Sequence, residues 1–322
     1  MKQKLAFLLL ALFVLVLSAC NSDSNSASEG NNNESSSDTT ETIKINHLLG
    51  ETSVKVNPER VISFDFGALD TLDALGIDVV GVPKEGTIPS YLDKYASDEY
   101  ASVGSLKEPD FEKINELQPD LIIISARQVE LYEEFQELAP TIYLGIDETN
   151  YVESFKENSE IIGQIFNKEA EVEEELAKVE ASIKALNEKT ASLDKNALVV
   201  LANEGTVSAY GPSSRFGLIH DVFGIKPVDE NIEVSRHGMS IDFDYIFKQN
   251  PDYLFVVDRG AVVTTGEGGN SAKEVIENDI IKETKAYKEG NIVYLDPNYW
   301  YISGGGLVSV AEMVKSIDEA LQ

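Results

Sequence analysis

The chain has 322 residues, 43% of them apolar, enough for one large or two small packed domains. Its 26 lysines and arginines stand against 56 aspartates and glutamates, a net charge of −30. That balance excludes broad binding to nucleic acid or to anionic membrane, both of which want basic faces, and any anionic ligand would need a locally basic pocket. The one cysteine, Cys20, rules out an intrachain disulfide, and His47, His220 and His237 are spaced too widely to read as a metal centre.

Residues 1–19 read as an export signal. Lys2 and Lys4 precede an apolar run from Leu5 to Leu17, too short for a comfortable membrane-spanning helix. The run ends in Leu17-Ser18-Ala19-Cys20, which resembles a bacterial lipobox, whose cysteine is lipidated and becomes the mature N-terminus. A signal peptide with an incidental cysteine is the alternative, but the only cysteine stands at the one position the motif needs. Residues 20–41 are rich in Ser, Asn, Glu and Thr and almost free of apolar side chains, the composition of a flexible tether. A lipidated Cys20 on such a tether holds a soluble domain at a membrane without spanning it.

From residue 42 onward strands alternate with helices, the pattern of parallel α/β architecture. Residues 42–155 form the expected N-terminal lobe. Its strands start at Val61, Val79, Leu121 and Thr141, and Leu69, Leu72 and Leu75 recur at helical spacing before Gly76. Residues 156–193 are polar and helix-favouring. They carry the stripes Ile161, Ile162, Ile165, Phe166 and Val172, Leu176, Val179, Ile183, Leu186, and no glycine or proline interrupts Gln164 to Lys195. This segment is expected to be one long rigid helix joining two lobes. Residues 194–322 form the expected C-terminal lobe, with strands at 197–201, 253–257 and 292–295 and a final helix over 306–321.

A repeated phrase carries the most information. Asp110-Phe111-Glu112-Lys113-Ile114, Pro119-Asp120 and Arg127 return as Asp242-Phe243-Asp244-Tyr245-Ile246, Pro251-Asp252 and Arg259. Six identities and one acidic match share an offset of 242 − 110 = 132 residues, one copy on each side of the helical segment. Each Asp suits a helix N-cap, and each Pro-Asp ends a short helix and opens a buried strand. Arg127 and Arg259 come just past the strand ends, where open parallel sheets bind ligands. Two facing lobes would aim both arginines into one cleft.

These features resemble the class of substrate-binding proteins that serve siderophore, haem and cobalamin ABC importers. The matching phrases are Asn57-Pro58-Glu59-Arg60-Val61-Ile62-Ser63 leading to Leu72-Asp73-Ala74-Leu75-Gly76, and Gly104-Ser105 leading to Leu117-Gln118-Pro119-Asp120-Leu121-Ile122-Ile123. The resemblance covers residues 43–322 and implies a class III periplasmic-binding-protein architecture that opens and closes little. It implies that Glu112 and Asp244 dock on permease arginines; both also suit the first turn of a helix, and the family usually has Glu at the second. The nearest resemblance is to receptors for petrobactin-type ferric catecholates, which hold their anionic ligand with arginines, matched here by Arg127, Arg215 and Arg259.

Arg215 sits in Tyr210-Gly211-Pro212-Ser213-Ser214-Arg215-Phe216-Gly217, a turn leading into a helix that Ser213 or Ser214 is expected to cap. Lys84, Lys107, Trp300 and Tyr301 are further ligand-binding candidates by position, with Tyr299 in the same loop; packing under the last helix is the competing role for Trp300. Arg236 and His237 fall in a polar loop and read as solvated. The expected partners are a ferric siderophore and an ABC permease, with membrane contact through the lipid anchor only and no nucleic acid. The protein is expected to be a monomer without a cofactor or metal of its own, the iron being held by the siderophore. No Gly-x-Ser-x-Gly or His-Ser-Asp pattern supports an enzyme. Gly266-Glu267-Gly268-Gly269 lacks the lysine of a phosphate loop and reads as a turn. Hydroxamate, citrate and haem complexes are rival ligands, and a lipid-anchored adhesion protein is the rival of a different class.

Overall fold

The computed structural model describes residues 41–203, 205–263 and 271–321. The expected export signal, Cys20, the tether before Glu41 and the Gly266–Gly269 turn lie outside the described residues.

The first lobe opens with an antiparallel hairpin, β1 (Thr42–His47) and β2 (Gly50–Lys55), which the sequence reading did not anticipate. A five-stranded, wholly parallel sheet follows in the order β5-β4-β3-β6-β7. Its strands are β3 (Val61–Ser63), β4 (Gly81–Val82), β5 (Ala101–Ser102), β6 (Leu121–Ile124) and β7 (Thr141–Tyr143). Between them run α1 (Phe66–Ala74), a 3-10 segment at Ser90–Ala96, α2 (Phe111–Leu117) and α3 (Tyr132–Gln136). Strand β6, Leu-Ile-Ile-Ile, is buried on both faces, as a central parallel strand must be.

The expected single helix is two. Helix α4 (Tyr151–Phe166) stops at Asn167, whose φ of 52° is left-handed, and α5 (Glu169–Thr190) begins two residues later. The N–H groups of Asn167 and Lys168 both donate to the Gly163 carbonyl. Asparagine tolerates this conformation better than other side-chain-bearing residues, so no glycine or proline was needed to stop the helix. Gly163 permits the tight reversal, since a Cβ there would lie 3.2 Å from the Val172 side chain. Helix α4 folds back along α5, with Lys156 Nζ 2.6 Å from Glu180 Oε1. The connector is therefore α5 alone, 22 residues long, roughly 33 Å at 1.5 Å per residue. Its expected stripe, Val172 to Leu186, is buried.

The second lobe holds β8 (Asn196–Asn203), β9 (Thr206–Tyr210), α6 (Leu218–Asp221), β10 (Lys226–Pro227), β11 (Met239–Ile241), α7 (Phe243–Gln249) and β12 (Tyr253–Asp258). It continues with α8 (Gly260–Val263), α9 (Ala272–Ile276), α10 (Lys285–Lys288), β13 (Ile292–Leu295), a π-helical turn at Asn298–Ser303 and α11 (Leu307–Ala320). The sheet order is β11-β9-β8-β12-β13, with β10 extending the β9 side of β8. Strands β8, β12 and β13 are parallel, and β9 and β11 add an antiparallel edge. The repeat is visible in both lobes. Asp110 and Asp242 cap α2 and α7, accepting from Lys113 N at 2.9 Å and Tyr245 N at 2.8 Å. The Pro-Asp carboxylates pin a neighbouring strand: Asp120 accepts from Glu59 N and Arg60 N before β3, and Asp252 from Asn196 N at the start of β8.

Helix α11 does not stay with the lobe that precedes it. It packs on α1 and α5, and Lys189 Nζ meets Asp318 Oδ1 at 2.9 Å. The chain thus crosses between the lobes twice, through α5 and through residues 296–306. One apolar core runs from Leu69 and Leu72 of α1, through Ile162, Val179 and Val314, to Val199 and Phe255 of the second sheet. Glycines make the return crossing fit. A Cβ on Gly306 would come within 2.4 Å of the Asp70 carboxylate and of the Gly67 carbonyl. Gly306→Ala should therefore lower unfolding free energy by about 1–3 kcal/mol, the usual cost of overpacking; urea denaturation checks it, and a change under about 0.5 kcal/mol would contradict this close approach.

Candidate ligand-binding site

Arg127 follows β6 on a loop that Gln128 fixes. The buried Gln128 amide accepts from Ser125 N at 3.1 Å and donates to the Leu106 carbonyl at 2.6 Å. Arg259 follows β12 in the same way, its N–H given to Ala202 O at 3.1 Å. Arg215 follows β9 on a loop held by three short bonds: Ser213 N to Asp221 Oδ2 at 2.6 Å, Ser214 Oγ to Gly211 O at 2.5 Å, and Gly217 N to Ser214 O at 2.7 Å. Neither serine caps the following helix, contrary to expectation, because Ser214 turns back to Gly211 and Ser213 has a left-handed φ of 57°. Helix α6 is a single turn, so any anion here must be held by the arginine side chain.

The three guanidinium groups meet at Tyr301, in the π-helical turn. Arg215 Nη2 donates to the Tyr301 carbonyl at 2.6 Å, and Arg127 reaches the same oxygen at 3.5 Å. Arg259 Nε donates to the Tyr301 hydroxyl at 2.9 Å, while its Nη1 reaches Asn203 Oδ1 at 2.5 Å. The Arg215 guanidinium also lies 4.1 Å above the Tyr301 ring. Arg127 comes from the first lobe and the other two from the second. Burial, followed by the Arg215 charge, pulls the Arg127 pKa below its ordinary value. Burial pushes the Tyr301 phenol up, but Arg215 and Arg259 outweigh it and leave the pKa below the ordinary tyrosine value.

Around this cluster lies a cavity of about 590 Å³. Lys107, Arg127, Arg215, Arg236 and Arg259 line it together with Asn203, Thr206, Ser208, Tyr210, His237 and Tyr301, and among the described residues its lining contains no carboxylate. Two smaller cavities share Arg127 and Tyr301 with it. One, of about 160 Å³, adds Asp65, Glu148 and Tyr151; the other, of about 270 Å³, adds the apolar side chains of Phe66, Leu106 and Val262.

The structure sorts the sequence candidates. Arg127, Arg215, Arg259, Lys107 and Tyr301 come together at the cavity. Lys84 does not: its ammonium donates to the Ala96 and Ser97 carbonyls at the end of the 3-10 segment, where unpaired carbonyls attract a cation. Trp300 is only 4% exposed and packs under α11, its indole N–H given to Ser316 Oγ at 3.3 Å, so it offers no open stacking face and touches only the smallest cavity. Tyr299 turns to Tyr91, ring centroids 4.6 Å apart. Arg236 and His237 are exposed, as expected of a polar loop, yet both line the large cavity. Asn203 and Tyr210 were missed as well. Asn203 ends β8 beside the end of β12, at the same carboxyl edge of the sheet as Arg259. Glu112 and Asp244 are exposed in the first turns of α2 and α7. Among the described residues no three His, Cys, Asp or Glu side chains are grouped to hold a metal ion.

Comparison with known proteins places this geometry. The family described as periplasmic binding protein matches residues 61–299. The petrobactin-binding protein YclQ of Bacillus subtilis is 52% identical over 326 aligned positions, covering 99% of each chain. The ferric-anguibactin-binding protein FatB of Vibrio anguillarum is 34% identical, covering 87% of this chain and 88% of its own. The crystal structure of YclQ superposes with a TM-score of 0.84 at 53% identity, over 88% of this chain and 99% of that one. That of the periplasmic catecholate-siderophore-binding protein VctP of Vibrio cholerae gives 0.82 at 39%, over 87% and 100%. A two-lobed α/β body built round a long helix, matched over nearly its full length in sequence and structure, makes this chain a member of the periplasmic binding protein family.

Proposed function

We propose that this protein is the extracellular receptor of an iron-siderophore ABC importer, binding an anionic ferric catecholate of the petrobactin type in the cleft between its lobes. The observation that carries this is the meeting of three guanidinium groups from both lobes on Tyr301, beside a cavity that five cations line. A ferric catecholate is a large anion with flat rings. Arginine offers planar donor forks, a charge that does not titrate away and a face that stacks on aromatic rings. The cavity volume of about 590 Å³ falls in the range for small-molecule sites. Against a net charge of −30, the five cations focus positive potential where the ligand enters. YclQ, FatB and VctP, each named for a siderophore ligand, support the same class.

The rest of the proposal follows from position. The protein acts as a monomer, performs no catalysis and carries no cofactor or metal of its own, because the siderophore holds the iron. A lipidated Cys20 and the segment behind it anchor the receptor to the outer face of the cell membrane. Glu112 and Asp244, at equivalent positions of the two lobes, dock on the permease.

Arg127→Ala, Arg215→Ala and Arg259→Ala should each weaken binding of a ferric catecholate by about 1–3 kcal/mol, the scale of charge-assisted hydrogen bonds. Quenching of the single tryptophan measures this, and unchanged affinity in all three would remove the site. Tyr301→Phe deletes only the hydroxyl that holds Arg259 and should cost less, about 0.5–1.5 kcal/mol; Tyr301→Ala also removes the ring under Arg215 and should cost more, and the reverse order would contradict the stacked geometry. The double variant Glu112→Ala/Asp244→Ala should bind normally but take up ferric siderophore poorly in whole cells; normal uptake would rule out docking through these residues.

A further inference from the structure

We propose that Asp70 is a positioning residue of the cleft, and that its proton completes a hydrogen-bond chain from the first lobe to the turn carrying Tyr301. The arginine cluster is then held more firmly when Asp70 is protonated than when it is ionised.

Asp70 lies in α1 and is 0% exposed. Its Oδ1 accepts from Val308 N at 2.9 Å and its Oδ2 from Ser309 N at 2.7 Å, so it caps α11 across the lobe boundary. A further contact starts a series. The Tyr91 hydroxyl lies 3.1 Å from Asp70 Oδ2 and 2.7 Å from Ser303 Oγ, and Ser303 Oγ lies 2.5 Å from the Asn298 carbonyl. These are three oxygen–oxygen contacts, and each needs one proton. The Tyr91 and Ser303 hydroxyls supply two, and the carbonyl of Asn298 supplies none. With Asp70 ionised, one contact must bring lone pairs together. With Asp70 protonated, all three are satisfied in sequence: Asp70 donates to Tyr91, Tyr91 to Ser303, and Ser303 to Asn298.

The end of that series matters for function. Asn298 and Ser303 are the first and last residues of the π-helical turn, and Tyr301 sits between them. Whatever tightens the link between Ser303 and Asn298 fixes the carbonyl that Arg127 and Arg215 share.

Burial pushes the Asp70 carboxyl up to about 6, although the Val308 and Ser309 N–H groups and the Ser309 and Tyr91 hydroxyls pull the other way. The titratable groups facing it are Tyr91 from the 3-10 segment, Tyr299 from the turn and Tyr151 from α4, all phenols that burial pushes above their ordinary value. No cation counts among the causes of its shift. The folded chain holds this proton to about pH 6, whereas an unfolded aspartate loses it near pH 4. The proton therefore favours the folded state, and the advantage disappears as pH rises across that window.

The test has a built-in reporter, because the only tryptophan, Trp300, lies inside the same turn. Trp300 fluorescence of the ligand-free intact chain should show one transition near pH 6. That transition should be absent in Asp70→Asn. It should also be absent in Tyr91→Phe, which leaves the caps on α11 intact and cuts the chain beyond Asp70. A wild-type protein without the transition, or an Asp70→Asn or Tyr91→Phe variant that keeps it, would overturn the proposal. A second arm rests on the ligand-binding reading and uses the ferric chelate of dihydroxybenzoate. Because the chelate itself changes with pH, the quantity read is the ratio of wild-type to Tyr91→Phe affinity at each pH. That ratio should fall from roughly threefold to tenfold at pH 5.5, the worth of one hydrogen bond, toward one at pH 8. A ratio that does not change with pH would make Tyr91 merely structural and also overturn the proposal. Absence of chelate binding by every protein, with the fluorescence transition intact, would fault the functional reading and leave the Asp70 chain standing.

Discussion

Guanidinium groups repel one another, and three of them aimed into one cleft need something between them. Tyr301 fills that place with three different surfaces. Its carbonyl takes Arg215 and Arg127, its ring lies under Arg215, and its hydroxyl takes Arg259. Each contact is of the kind that favours a cation, and together they let positive charge be stored before any ligand arrives. Most of the remaining architecture serves to deliver these four side chains. Two strand ends bring Arg127 and Arg259, a loop pinned by Asp221 brings Arg215, and the return crossing brings Tyr301.

The acid excess elsewhere on the molecule sets this basic cluster apart. An anion meets repulsion from most of the surface and attraction in one place, where low-dielectric walls concentrate the field. Among the described residues, carboxylates stand in the two adjoining smaller cavities, Asp65 and Glu148 in one and Glu85 in the other. Asp65 caps α1 beside Arg127, its own pKa raised by burial. None of the three lines the large cavity.

Much of this was legible in the sequence because local chemistry and tertiary structure agreed. The paired Asp-Phe…Pro-Asp phrases specify a cap, a short helix and a buried strand, and those demands fixed where Arg127 and Arg259 fall. What was not legible lay where one residue overrode a pattern or where distant segments met. A helical stripe runs straight through Asn167, and nothing in its periodicity records that one left-handed residue reverses the chain. Lys84 sits at a strand end like a ligand-binding residue, but a neighbouring 3-10 segment needed its charge more. Arg236 was passed over because a polar loop says nothing about the cleft it borders. Gly306 signals a close approach, but only the fold shows that the surface approached is α1 of the opposite lobe.

The double crossing has a consequence for how the chain is assembled. Leu69 and Leu72 of α1 belong to an apolar core completed by Val310, Val314 and Ile317 of α11. The first lobe therefore lacks part of its cover until α11 has been made. Synthesis leaves that lobe incomplete while the whole second sheet follows it, and α11 then closes both halves at once. Loss of α11 would be felt first in the lobe further from it in the sequence.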